Sequence, residues 1–427
     1  MTNRNVNRAE LKALAKAAKY LPGGSNGNTI TQDIVIRNGM GSRVWDISGN
    51  EYVDYSLGSG PMLIGHAHPE VIAAVSEQVS KGSTFFGLNE HAIELAEQIV
   101  KAVPCAEKVR FASTGSEATF HAMRLARAYR KRQKIMKFEG GYHGMNDYAL
   151  MSMAPRNPVD FPQATPDSPG IPDSIQSEVL IAPFNDIESA SKLIEKNHDE
   201  LAAVITEPFQ RVIPPSPGFL EGLRKVTHEY EIPLIFDEVV TGFRFAFGGA
   251  QEYYGVTPDL AALGKAMAGG FPLSAVVGKA EIMNHFDSEN GAVSGGVLQE
   301  GTLNGNPVAA VAGITTLKVL SRSGVYEKLF ATGQKLRNSL QDMLNQSEIP
   351  ARVIGEAPVF DVYFTNDDIK DYRSSQKADQ SKQSRFTSLL LERGIYKNHN
   401  KFYISTAHSP DDVEATLEAF RSAIEKM

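Results

Sequence analysis

The sequence predicts an α/β fold: a mostly parallel sheet sandwiched by helices, with a smaller α+β domain. Three observations carry that expectation. Downstream of His68, helical stretches alternate with short apolar runs, the texture that βα units produce. Those runs are continuous rather than alternating, as strands covered on both faces are. After about Ser321 the order changes to helix, strands and helix again, which marks a second, smaller body. The length agrees, because 427 residues with 42% hydrophobic content exceed the roughly 250–300 at which one core stops growing.

Taken in order, residues 8–20 place Leu11, Leu14, Ala15 and Ala18 at helical spacing and stop at Leu21-Pro22-Gly23-Gly24, a docking helix followed by a loop. Residues 42–55 alternate in class around Val44, Asp46 and Ile47, with Ser48-Gly49-Asn50 as the turn of a hairpin. Helices are expected at 69–81, 89–103, 116–132 and 187–196. Strands are expected at 109–112, 135–138, 179–182, 203–206, 234–236 and 273–277. Residues 153–175 carry Pro155, Pro158, Pro162, Pro166, Pro169 and Pro172 with little periodicity, the composition of a lid or a tether. Residues 367–384 are polar. No repeat with a period of about 20–50 residues exists, which excludes solenoids and propellers.

Lys and Arg total 43 against 50 Asp and Glu, a formal charge of −7 that argues against nucleic acid as a partner. A small partner fits better. Cys105 is the only cysteine, so no intramolecular disulfide requires an oxidising compartment, and the cytoplasm is expected. The polar first residues, and the lack of any run near about 18 apolar residues, argue against secretion and membrane insertion.

Five places carry chemistry, and each has a plain structural alternative. Arg110-Phe111-Ala112-Ser113-Thr114-Gly115-Ser116-Glu117-Ala118 runs from a strand through small residues into a helix; this is either a phosphate cradle at a helix N-terminus or an N-cap and tight turn. Leu234-Ile235-Phe236-Asp237-Glu238 delivers an acid to the carboxyl end of a strand, where ligands of open α/β sheets collect, or where the acid caps the next turn. Lys265 stands among small residues in Leu263-Gly264-Lys265-Ala266-Met267-Ala268-Gly269-Gly270; poor solvation there favours the neutral amine and a Schiff base, although most lysines are simply solvated. Glu139-Gly140-Gly141-Tyr142-His143-Gly144 offers an aromatic platform or a turn, and Thr302 before Leu303-Asn304-Gly305-Asn306-Pro307 offers a hydroxyl to a phosphate or another turn. Together they are the set that pyridoxal phosphate needs. Its phosphate wants the helix start, its aldehyde the lysine, and its ring nitrogen a carboxylate.

On these residues the chain resembles the class III pyridoxal-phosphate aminotransferases, of fold type I, and within them the glutamate-1-semialdehyde 2,1-aminomutase branch. The resemblance covers nearly the whole length. It is carried by Leu21-Pro22-Gly23-Gly24, Gly65-His66-Ala67-His68-Pro69, Ser113-Thr114-Gly115-Ser116-Glu117-Ala118, Pro166-Asp167-Ser168-Pro169-Gly170, Phe236-Asp237-Glu238-Val239-Val240-Thr241-Gly242-Phe243-Arg244 and Gly301-Thr302-Leu303-Asn304-Gly305-Asn306-Pro307. It implies a seven-stranded sheet in a large cofactor-binding domain at 65–320, a segment 1–64 contributing to the small domain, and a C-terminal small domain at 321–427. It also implies that Lys265, Asp237 and Tyr142 are catalytic: Lys265 as Schiff-base partner and proton shuttle, Asp237 at the pyridinium nitrogen, Tyr142 on one ring face and Val239 on the other. Gly115 and Ser116 would hold the phosphate, with Ser113, Thr114, His143 and Glu207 completing the cofactor-binding set. Thr302 would reach the phosphate of the neighbouring subunit, implying a homodimer with shared active sites.

Departures from the pattern bear on the substrate. After Pro22-Gly23-Gly24 the chain reads Ser25-Asn26-Gly27-Asn28-Thr29-Ile30, without the arginine that grips a carboxylate in the aminomutases. Leu57-Gly58-Ser59-Gly60-Pro61 lacks an aromatic, and Tyr396-Lys397-Asn398-His399-Asn400-Lys401-Phe402-Tyr403 shortens the region of a gating glutamate. The expected activity is therefore an aminotransferase moving an amino group between a donor needing no α-carboxylate and a keto acid or aldehyde. The alternative is the aminomutase, an isomerase. Arg244 is either an acceptor-carboxylate ligand or a partner of Glu238, and Glu207 either a substrate gate or a loop anchor. The basic run Arg127, Arg130, Lys131, Arg132, Lys134 and Lys137 reads as a solvated face. No metal is expected, since His66, His68 and His143 lack companions at ligand spacing. A nicotinamide dehydrogenase is not expected, because no Gly-x-Gly-x-x-Gly turn follows the first strand.

Overall fold

The computed structural model describes residues 4–27, 34–287, 296–397 and 400–427. Of the departures above, Asn28, Thr29, Ile30, Asn398 and His399 lie outside the described residues. The strands in chain order are β1 (Ile36–Met40), β2 (Arg43–Asp46), β3 (Glu51–Asp54), β4 (Lys108–Ala112), β5 (Lys134–Phe138), β6 (Val179–Ala182), β7 (Leu201–Thr206), β8 (Leu234–Glu238), β9 (Leu260–Leu263), β10 (Ser274–Gly278), β11 (Arg352–Glu356), β12 (Val359–Tyr363), β13 (Ile395–Tyr396) and β14 (Phe402–Tyr403). The helices used below are α1 (Arg8–Tyr20), α2 (Pro69–Val79), α3 (Glu90–Ala102) and α4 (Gly115–Arg130). The chain divides into two units, one of Glu70–Arg322 with Asp368–Gln376 and one of Met1–Pro69, Ser323–Asp367 and Lys377–Met427.

In the larger unit, seven strands form one sheet in the order β4-β10-β9-β8-β7-β5-β6. Its strands are parallel except β10, which runs antiparallel between β9 and β4. Every residue of β7, β8, β9 and β10 is buried, so both faces are covered. On one face, Ala118, Ala122, Met123 and Leu125 of α4 pack against Ile205, Ile235, Ala262 and Val276. Elsewhere in the unit Phe138, Phe184 and Phe219 make an edge-to-face trio with centroids 4.9–6.0 Å apart. Each such fully buried side chain contributes about 1.5–3 kcal/mol by leaving water.

The seventh strand, β9, has no counterpart among the six runs expected from the sequence. Leu-Ala-Ala-Leu is short and half alanine, so its strand conformation comes from the pairing of β8 and β10 on either side and not from intrinsic preference. β8 also extends two residues beyond Phe236, which brings Asp237 and Glu238 inside the sheet ladder.

The smaller unit holds two sheets, β1-β2-β3-β13 and β11-β12-β14. The expected hairpin is present as β2 and β3, with β1 added before it. Helix α1 forms as expected behind an Asn7 cap, but Leu11 is 58% exposed. What ties α1 down is buried Glu10, whose carboxylate accepts from Val35 N at 3.2 Å and lies 2.9 Å from Arg4. Among the described residues no single helix is long and apolar enough to cross a membrane.

Candidate active site

Strand register gathers the site. Asp237 pairs with Ala262 and Glu238 with Leu263, so Lys265 follows directly beyond the end of the strand beside the acid. Phe236 pairs with Thr206, which sets Glu207 beside Asp237 on the other flank. Ala275 pairs with both Leu263 and Phe111, which brings the end of β4 to the same carboxyl edge across the antiparallel β10. Parallel strands end together, so residues far apart in sequence meet at one rim.

At the end of β4, Thr114 caps α4 in a capping box: Thr114 Oγ1 accepts from Glu117 N at 3.2 Å. Glu117 Oε2 accepts from Ser113 N at 2.9 Å and from Thr114 N at 2.8 Å. Those two amides are therefore engaged within the chain. The Gly115 and Ser116 amides are the first-turn donors that the box does not use, at the positive end of the helix. A Cβ at Gly115 would come within 2.7 Å of Val239 Cγ1, and one at Gly144 within 2.6 Å of Ser116 Cα, so both glycines permit a close approach to this turn.

Asp237 is 6% exposed, and its Oδ2 lies 2.8 Å from His143 Nδ1 while Oδ1 accepts from Val239 N at 3.1 Å. Among the described residues His143, 1% exposed, finds no hydrogen-bond partner at Nε2. Thr119 Oγ1 donates to His143 O at 2.6 Å, tying the Tyr142-His143 turn to α4. Val239 also stands 3.4 Å from where a Cβ of Gly264 would be, so it lies between the phosphate-loop candidate and the residue before Lys265. Lys265 itself is half-buried with φ +45°, a left-handed conformation rare outside glycine.

Tyr142 is 40% exposed, and burial pushes its phenol above the ordinary value. Glu207, 7% exposed, accepts from Tyr142 N at 2.6 Å. Thr302 is exposed, in a turn closed by Asn304 N donating to Gly301 O at 3.0 Å. Arg244 is 1% exposed, and Glu238 is bound by Thr241 Oγ1 at 2.8 Å and by Gln251 Nε2 at 2.9 Å, with burial raising its carboxyl.

The basic run needs correction: half-buried Arg127 lies over the Tyr148 ring, its guanidinium carbon 3.8 Å from the ring centre, and Lys137 is not on a solvated face. It lies fully inside β5, and its ammonium donates to Ala149 O at 2.6 Å and Met151 O at 2.7 Å while burial pushes it down to about 7. A strand covered on both faces leaves a lysine nowhere to snorkel. Sequence reasoning also missed Gln210 and Arg211, which border Glu139 and Tyr142; no spacing or motif in the chain announces them.

These residues fit pyridoxal phosphate. The cluster offers free first-turn amides for a phosphate, a buried acid oriented by an imidazole for a ring nitrogen, and a lysine beyond the neighbouring strand for an aldehyde. Among the described residues no group of three or more His, Cys, Asp or Glu is arranged to hold a metal ion.

Residues 25–423 match the family model described as aminotransferase class-III. A glutamate-1-semialdehyde 2,1-aminomutase of Methanothermobacter thermautotrophicus is 43% identical over 413 residues, 95% of this chain and 96% of that one. Among solved structures, an omega-transaminase from Sphaerobacter thermophilus superposes with a TM-score of 0.93 at 36% identity, covering 98% of this chain and 97% of that one. A transaminase with PLP bound gives 0.91 at 27% identity, covering 99% and 98%. With its fold, its strand-edge cluster and these likenesses in agreement, the chain belongs to the class III aminotransferases, and pyridoxal phosphate is its cofactor.

Proposed function

We propose that this chain moves an amino group within a single molecule, as a glutamate-1-semialdehyde 2,1-aminomutase does. The observation that carries the chemistry is buried Asp237, held 2.8 Å from His143 on the strand beside the one that leads to Lys265. The narrower choice of reaction is supported by the 43% identity, along 95% of the chain, to a relative of that name. When bound, the cofactor supplies an electrophilic carbonyl and a ring that accepts electrons.

The chain's own residues do the rest. Lys265 Nζ would hold the cofactor's aldehyde carbon until the substrate's amine displaces it, and the freed lysine amine would then take the proton from the substrate carbon next to nitrogen and return it elsewhere. Asp237, oriented by His143 Nδ1, would keep a proton on the ring nitrogen. Tyr142 and Val239 would cover the two sides of the ring, and the Gly115 and Ser116 amides would hold the phosphate. Thr302, exposed in its turn, would reach the phosphate held by a second copy in a homodimer. Buried Cys105, its thiol pushed up to about 12 by burial, is inert and suits a cytoplasmic enzyme.

A second reading is favoured by a different observation. Residues 25–30 contain no arginine, so a clamp for an α-carboxylate is missing where the aminomutases carry one. That supports transfer between an amine without a required α-carboxylate and a keto acid or aldehyde, as does the likeness to an omega-transaminase. Supplying the semialdehyde without any keto acid separates the readings. The mutase completes many turnovers alone. A transaminase stops after one equivalent and resumes with pyruvate or 2-oxoglutarate; that outcome overturns the first reading.

A further inference from the structure

The turn after β7 carries a side chain where the backbone favours none. Gln210 N donates to Ile213 O at 3.1 Å and Ile213 N to Gln210 O at 2.8 Å, closing a hairpin turn with Arg211 and Val212 at its centre. Arg211 has φ +61°, whereas Val212 is outside the left-handed region. A positive φ at the first central position alone is the type II′ pattern, which glycine fills by preference because a Cβ is crowded there. An arginine standing at such a position points to a role for its side chain.

Its contacts identify that role. Arg211 Nε donates to Gly140 O at 2.9 Å, Nη2 lies 3.4 Å from Met153 O, and the guanidinium carbon stands 5.2 Å from the centre of the Tyr142 ring. Among the described residues no carboxylate oxygen comes within 4.0 Å of the guanidinium, so its charge is not committed to an ion pair. Glu207 closes the other side: Oε1 accepts from Tyr142 N at 2.6 Å and Oε2 from Arg211 N at 2.9 Å. One carboxylate thus holds both backbones, while the cation attracts the negative face of the ring.

We propose that Arg211 and Glu207 are positioning residues that together fix the plane of Tyr142, which rests on the reading of that ring as the cofactor's platform. The clamp has an electrostatic signature of its own. Burial raises the Tyr142 phenol, Arg211 draws it down, and Asp237 and Glu207 push it up again. Removing the guanidinium leaves only the upward influences.

Full-length Arg211→Gly and Arg211→Lys, labelled with 3-fluorotyrosine, test this, with the Tyr142 resonance assigned by its loss in Tyr142→Phe. Glycine relaxes the turn, so the thermal midpoint stays at or above that of the parent. The Tyr142 phenol then titrates at higher pH, the visible circular dichroism of the bound cofactor falls, and kcat drops about tenfold with KM within about twofold. Arg211→Lys recovers part of each. An unchanged phenol titration and unchanged kcat in Arg211→Gly overturn the clamp. A raised KM with kcat intact also overturns it, making Arg211 a substrate ligand. The phenol titration is repeated on chain stripped of cofactor, so failure of the cofactor reading, seen as no visible band in the parent, is distinct from failure of the clamp.

Discussion

Two histidines, both 1% exposed, meet burial in opposite ways. His408, in the smaller unit, stacks on Tyr55 at 4.4 Å, accepts from Ser405 N at 3.0 Å through Nδ1 and lies 3.1 Å from Asp54 O through Nε2. An amide on one side and a carbonyl on the other fit a neutral ring, and burial pushes its pKa down to about 4. His143, in the larger unit, faces a carboxylate through Nδ1 and among the described residues finds no hydrogen-bond partner at Nε2. The first ring is a finished structural joint. The second supports an acid at a strand edge, on the strand beside the one that leads to Lys265 with its left-handed backbone. Equal burial therefore does not mean equal purpose; the partners decide.

The comparison is tested most severely at the lysine. If the strand edge of the larger unit holds the chemistry, Lys265→Ala lowers kcat by about 10⁴-fold, at the top of the range for a lost proton-transfer group. Borohydride then no longer fixes cofactor to the chain, as read by mass spectrometry; label retained on another lysine contradicts the assignment.

The next effect belongs to the other histidine and is one of stability. Unfolded histidine titrates near 6.5 and folded His408 at about 4, so between these values only the unfolded chain binds the proton. Stability rises with pH across that window, and as pH falls from 6.5 to 4 the loss is about 3 kcal/mol. Urea titrations at several pH values should show a shallower slope in His408→Gln than in the parent. Equal slopes would place the acid sensitivity elsewhere.

Smaller still is the effect at His143. His143→Leu lowers kcat about 10–100-fold, as loss of a supporting partner does, with little change in unfolding free energy. His143→Asn, which keeps an N–H for Asp237, recovers part of it. A large stability loss without a kcat effect would make the two histidines alike.

The smallest is at the helix cap: Glu117→Ala removes half of the capping box and costs about 1 kcal/mol. Cofactor affinity stays within about threefold of the parent, because the Gly115 and Ser116 amides remain in place. A much larger loss, by spectral titration, would mean that Glu117 supports the cradle as well as the helix.

Much of this arrangement was legible from local sequence. Apolar runs located six of the seven strands to within a residue or two, and small residues before Ser116, the acid after Phe236 and the lysine after Gly264 marked the candidate cofactor set. The seventh strand was not legible, because Leu-Ala-Ala-Leu takes its conformation from β8 and β10. Lys137 was misjudged for a related reason: a cation's surroundings depend on whether its strand has neighbours on both faces.

By itself the sequence determined the fold class and the family and pointed to candidate residues for the cofactor, since backbone propensity, apolar spacing and motif chemistry are all local. Only the tertiary structure decided that β10 runs antiparallel beside β4, that Asp237 leans on His143, and that Arg211 and Glu207 enclose Tyr142. Those are contacts between segments tens of residues apart, selected by the burial and hydrogen bonding of the whole chain, and no local window contains both partners.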